Sequence, residues 1–99
     1  METKYLETGW NTDIYDVIFG EDYDENYTKT NYTRLYSVLK HVGVNVLGDL
    51  LQAHPLTMCN IPKIGRAGMS LLCKRILDYK DKHGVYLHYD RGFYEDYIK

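Results

Sequence analysis

Residues 60–70 read NIPKIGRAGMS, and two glycines there bracket what reads as the first turn of a helix. Glycine inside a helix costs roughly 0.5–1 kcal/mol relative to alanine, so Gly65 and Gly68 imply that something approaches the backbone closely. Ile61 and Ile64, on either side of Pro62, are expected to plug into a core, and Gly65 to make the turn into the last long helix. That helix is predicted from about Arg66 to Lys82, with Met69, Leu72, Cys73, Ile76 and Tyr79 inward, Leu77 on the flank, and Lys74, Arg75 and Lys80 in water. Gly84 ends it.

Working back from the hairpin, Pro55 opens a short turn through Leu56 and Met58 and stops the helix before it, because a residue preceding proline avoids helical geometry. That earlier helix is expected to be capped by Asn45 and to bury Leu47, Leu50 and Leu51. Another precedes it, capped by Asn31 or Thr33, with Leu35, Val38, Leu39 and Val42 as its inward stripe and a left-handed Gly43 at its end. Further back, TDIYDVIFG places Ile14, Val17 and Ile18 at helical spacing between Thr12 as cap and Gly20 as stop, and EDYDENY reads as a mobile acidic linker. Beyond Gly84, VYLHY alternates and is expected to lie extended across the bundle. The fold class expected is all-α: a compact bundle of four to five short helices with extended N- and C-terminal segments. Its parts are an acidic, tyrosine-rich arm over residues 1–27, a helical domain over 28–90, and a tail over 91–99.

With 99 residues the chain supports one core. No apolar run approaches the ~20 residues that span a bilayer, so no membrane partner is expected. The start METKYLETGW has no basic run followed by an apolar core, so no secretory leader is expected and the gene product is taken as the mature protein. Cys59 and Cys73 lack paired spacing and read as two buried thiols in a reducing compartment. The four histidines lack the pairing of a zinc helix, so no metal or cofactor is expected. Charge is unevenly placed. Residues 1–27 carry eight acids against Lys4, a net of −7, and residues 28–83 carry nine bases against three acids, a net of +6. A basic middle can bind a polyanion, and the acidic arm can compete for that face. Two solvated faces would show the same split.

The first amides of the last helix have no partner within it and sit at the positive end of its dipole, which suits a phosphate. Gly65 and Gly68 remove side chains that would hold a nucleic-acid backbone away, and Lys63 and Arg66 place cations beside the spot. A packing loop, with Gly68 serving only a close helix approach, is the simpler alternative. Helix, short turn, Ile-Pro-Lys-Ile-Gly and helix form a helix-hairpin-helix pattern.

The run YTRLYSVLKHVGVNVLGDLLQ through NIPKIGRAGMSLLCKRILDYKDKHGVYL resembles the C-terminal domain of the bacterial RNA polymerase alpha subunit over roughly residues 28–90. The marks are the Arg34 helix with Leu39 and Lys40, Gly48-Asp49-Leu50, Ile64-Gly65-Arg66, and Gly84-Val85-x-Leu87. The resemblance implies a compact helical domain, bacterial, cytoplasmic and nucleoid-associated, that docks on the minor groove of A/T-rich promoter DNA, touches transcription regulators, and is not an enzyme. By position Arg34 matches the family's minor-groove arginine, and Gly65 and Arg66 its hairpin glycine and first basic residue. Ser37 and Lys63 stand where the family has asparagine, and Ala67 and Gly68 where it has lysine and serine. Thr28 and Thr30 replace the acids that in relatives can face sigma factor. The expected DNA-binding set is therefore Arg34, Ser37, Lys63, Gly65, Arg66 and Gly68, with weak affinity of roughly 10⁻⁴ to 10⁻⁶ M at physiological salt.

A second reading is a protein interaction module of the transcription machinery that has lost most DNA affinity, partnered by RNA polymerase or a regulator. It draws on Trp10, Phe19 and Tyr23 in the arm and on Tyr86, Tyr89, Phe93, Tyr94 and Tyr97 near the tail. The same rings can instead pack arm and tail onto the small core. For catalysis, no nucleophile–base pair or metal cluster accompanies Asp49, the acid nearest the middle of the chain.

Overall fold

Thr28 begins the best-formed helix. Its hydroxyl accepts the Asn31 amide at 3.1 Å while Asn31 Oδ1 accepts the Thr28 amide at 2.9 Å, a reciprocal cap that satisfies two otherwise orphan donors. The computed structural model describes residues 4–20 and 23–98. Its helices are α1 (Ile14–Phe19), α2 (Lys29–His41), α3 (Gly48–Leu51), α4 (Pro55–Met58), α5 (Gly65–His83) and α6 (Gly92–Glu95). No strand occurs among the described residues; one isolated bridge joins Asp13 to Val46. The fold is all-α, as the apolar periodicity predicts.

α5 is the axis on which the rest is laid. Leu71, Leu72, Cys73, Ile76 and Leu77 are buried along it and meet Leu35 and Leu39 of α2, Val17 and Ile18 of α1, and Tyr94 of α6. Each such aliphatic side chain contributes roughly 1.5–3 kcal/mol on burial. Removal from water also pushes the Cys73 thiol up to about 12, which leaves it a packing group.

Several local expectations are corrected. α2 starts at Lys29 because Thr28, rather than Asn31 or Thr33, is its cap. Val42 lies past the end of α2 and is exposed, since Gly43 turns the chain there with φ +88°. Asp13, not Thr12, caps α1 by accepting the Tyr15 amide at 2.8 Å. Asn45 does not cap α3; its Oδ1 accepts Lys40 Nζ, and Asp49 organises that turn instead. Cys59 is exposed rather than buried. Arg75 is buried instead of facing water, with Nη1 3.8 Å from Asp78 and its guanidinium 5.7 Å from the Tyr32 ring centroid. A charge on a helix can lie inward when an aromatic face and a carboxylate meet it there, and periodicity alone carries no sign of such partners.

The N-terminal segment is built into the core. Trp10 is 1% exposed, donates Nε1–H to the Tyr86 carbonyl at 2.7 Å, and accepts the Gly48 amide on its own carbonyl at 2.8 Å. Gly48 is where that contact needs the space: a Cβ there would stand 2.5 Å from the Tyr5 ring and 3.0 Å from Trp10. Of EDYDENY, Glu21 and Asp22 lie outside the described residues. The remainder is pinned by the Asp24 amide on Tyr32 Oη at 2.9 Å and by Tyr27 Oη against Ser70 Oγ at 2.6 Å. In VYLHY burial alternates as expected, with Val85 buried, Leu87 and Tyr89 half-buried and Tyr86 and His88 exposed, but the chain bends at His88 and Tyr89 and so does not run extended throughout.

Candidate nucleic-acid interface

Two elements supply the candidate site: the outward face of α2 and the turn between α4 and α5. Arg34, Ser37 and His41 fall at i, i+3 and i+7, so they line one side of α2, opposite the buried stripe of Tyr32, Leu35 and Leu39. The turn folds back through the Ile61 amide on the Met58 carbonyl and the Ile64 amide on the Ile61 carbonyl. Ile64 is buried and Ile61 half-buried, as the plug reading requires.

The backbone inverts twice around that plug, with φ +67° at Lys63 and +65° at Gly65. Glycine takes this conformation freely; a side chain there costs on the order of 1 kcal/mol, and Lys63 is the one non-glycine among the described residues that adopts it. Alternating left- and right-handed residues turn successive amides toward one side, a concavity suited to anions. The amides of Gly65, Arg66 and Ala67 make no hydrogen bond to a loop carbonyl among the described residues, as befits a helix start. Gly65 is open, with no atom within 4 Å of a built Cβ. At Gly68 a Cβ would stand 3.2 Å from Ile64 Cγ1, so this glycine has a packing reason close at hand.

The surface brings some of the expected residues together and separates others. Ser37 and Lys63 share a depression of about 280 Å³ with Val38, His41 and Pro62. Arg34 lines another, of about 480 Å³, with Lys29, Thr30 and Thr33. Gly65 and Arg66 line a third, of about 410 Å³, with Cys59, Ile64, Met69, Asp96 and Tyr97. The Asp96 carboxylate is an addition to the expected set and lowers the positive potential at the start of α5. It is delivered by α6, whose buried Tyr94 docks the tail; the spacing of Phe93, Tyr94 and Tyr97 is the sequence signal for that helix. In the same hollow Tyr97 is pushed up to about 12, chiefly by its hydrogen bond with Cys59.

Cation pairing varies over the surface, and exposed Lys29, on the first turn of α2, forms no ion pair among the described residues. Arg34, Lys63 and Arg66 are exposed and make no ion pair or side-chain hydrogen bond among the described residues. Elsewhere Lys4 is paired with Asp49 at 2.6 Å, Lys74 with Asp78 at 2.7 Å, and Arg91 with Asp81 at 2.6 Å and Glu95 at 3.1 Å.

Asp49 serves the fold instead of a reaction. Its Oδ2 accepts the amides of Asn45 and Val46 at 2.9 and 3.1 Å, and its Oδ1 accepts Lys4 Nζ and Tyr5 Oη at 2.6 and 2.7 Å. Burial alone would raise this carboxyl, but those four donors outweigh it and hold the group down at about 2. Among the described residues no group of three or more metal-ligating side chains converges, and no helix is long and apolar enough to cross a membrane.

No family model matches the chain, and neither a curated protein nor a solved structure was found to be similar to it.

Proposed function

We propose that this protein is a transcription-associated DNA-binding module resembling the RNA polymerase alpha C-terminal domain, holding duplex DNA mainly by its phosphates. The observation that carries the proposal is the set of three exposed cations, Arg34, Lys63 and Arg66, that form no ion pair among the described residues, around a hairpin whose amides meet no loop carbonyl among them. A cation that the fold does not use is free to replace a phosphate counterion, and release of that counterion drives binding. Lys63 and Arg66 flank the strand at the hairpin, while Gly65 lets the backbone come close. Ser37, sharing the Lys63 depression, can donate to a neighbouring phosphate oxygen. Arg34, on the turn of α2 before Ser37, suits the narrow, negative minor groove of A/T-rich DNA. The strained conformation of Lys63 points the same way, since strain of this kind is kept where a side chain must be aimed.

Asp96 beside Gly65 and Arg66 repels a phosphate, so affinity belongs in the non-specific range of roughly 10⁻⁴ to 10⁻⁶ M at physiological salt. A salt titration against an A/T-rich duplex tests this reading. Neutralising a few phosphates should give a log–log slope of roughly −2 to −4. Arg34→Ala with Arg66→Ala should flatten the slope by about 2 and change folding stability by less than about 0.5 kcal/mol, because neither guanidinium makes an ion pair or side-chain hydrogen bond among the described residues. An unchanged affinity in that double variant would remove the site from consideration.

A further inference from the structure

On α1, the loop after it and one flank of α2, five aromatic rings pack in a chain, buried at Tyr32 and open toward its ends, that lies outside the proposed DNA face. Tyr15 lies 4.7 Å from Phe19 and 5.6 Å from Tyr36 between ring centroids, and Phe19 is 5.6 Å from Tyr36 and 6.2 Å from Tyr32. Tyr23 stacks on Tyr32 at 4.7 Å. Tyr15 is 52% and Tyr23 53% exposed, Phe19 and Tyr36 are half-buried, and Tyr32, which links Tyr23 to Phe19, is buried. Single exposed rings are ordinary; exposed rings held by packing on half-buried and buried neighbours are an interaction surface already fixed in place. Tyr36 follows Arg34 by two residues, roughly 200° around α2, so a ligand on the strip leaves the DNA face uncovered.

The charge at its rim selects the partner. The exposed acids Asp13, Asp16 and Glu25 neighbour these rings along the chain, against Lys29 on the first turn of α2 and Lys40 one turn after Tyr36, whose ammonium is given to Asn45; the Asp24 carboxylate is mostly buried and accepts the Asn26 amide. Asp24 is also within 3.9 Å of Lys74. Aromatic faces are negative, and carboxylates around them add to the attraction for a flat, weakly hydrated cation. The molecule makes this contact from within, where the buried Arg75 guanidinium sits 5.7 Å from the Tyr32 centroid.

We infer that the strip docks an arginine-rich basic segment of a partner protein, with guanidinium groups laid on the Tyr15, Tyr36 and Tyr23 rings and attracted by Asp16 and Glu25. Arginine is favoured over lysine because guanidinium stacks on a ring and sheds water more readily than ammonium. The inference does not rest on the DNA reading.

The test titrates the full chain with an arginine–glycine repeat peptide and a lysine–glycine peptide of equal length, following backbone amide shifts by NMR. Shifts should map to Tyr15, Phe19 and Tyr36, and the arginine peptide should bind more tightly. Tyr15→Ala should weaken it about two- to fivefold, as expected for one lost cation–π contact, and leave DNA affinity unchanged. Asp16→Asn, at an exposed position, should weaken it by a smaller factor. Absence of binding, equal binding of the two peptides, shifts mapping to another face, or retention of affinity in Tyr15→Ala would each overturn the inference.

Discussion

The Asp49 turn and the hairpin turn are both short and glycine-containing, yet they use charge in opposite ways. At Asp49 one carboxylate takes hydrogen bonds from two backbone amides, a tyrosine and a lysine, and so ties the N-terminal segment to α3. At the hairpin the charged groups Lys63 and Arg66 are exposed and form no ion pair among the described residues, and the backbone at Lys63 is held in a conformation that costs stability. A charge satisfied on all sides contributes to folding and has nothing left for a ligand. An unsatisfied charge beside a strained backbone contributes little to folding and keeps its full interaction for something outside the molecule. The hairpin charges are therefore the ones that the proposed DNA reading puts to the test.

The largest effect belongs to the folded side of that contrast. Trp10→Ala removes a nearly fully buried indole and its hydrogen bond to Tyr86, and should cost about 3–5 kcal/mol in urea unfolding followed by circular dichroism. A cost below about 1 kcal/mol would mean that the N-terminal segment is not part of the cooperative unit.

Asp49→Asn comes next, at about 2 kcal/mol near neutral pH, because the folded carboxyl sits at about 2 against an ordinary value of 3.8. A carboxyl depressed in the folded state stabilises the protein above its unfolded pKa, and that contribution is lost as pH falls from about 4 toward 2. The wild-type chain should therefore lose stability steeply over that window, whereas the Asp49→Asn variant, lacking the titrating group, should show a shallower acid limb in urea midpoints at stepped pH. Parallel curves would show that another carboxyl governs acid unfolding.

The smallest effect is the sharpest for the contrast. Lys63→Gly relieves the left-handed side chain and should raise stability by about 0.5–1 kcal/mol while weakening DNA binding. A variant that is less stable, or that binds DNA as before, would break the link between strain and function at the hairpin.

Much of this architecture was legible from residue order. Gly43, Pro55 and Gly84 punctuate the chain, and apolar spacing in TDIYDVIF, in the Leu35–Leu39 stretch and in the Met69–Ile76 stretch marks the helices that form. Cap choice was less legible, since Thr28, Asn31 and Thr33 are all competent acceptors and only the reciprocal bond between the first two decides among them. The inward turn of Arg75 was not legible, because its partners, Tyr32 and Asp78, come to it from a second helix and from its own next turn. Of the candidate site, the cations and the open glycine could be named in advance. Asp96 could not be placed beside them until Tyr94 docked α6.

By itself the sequence determined the helical class, the position of the hairpin and the uneven distribution of charge, since propensity, periodicity and net charge are properties of neighbours along the chain. Tertiary structure alone decided which charges are used up. Pairing of Lys4 with Asp49 and of Arg91 with Asp81 joins residues 45 and 10 positions apart, whereas Arg34, Lys63 and Arg66 form no ion pair among the described residues. Coulomb attraction depends on distance through space, and that distance exists only once the core has closed.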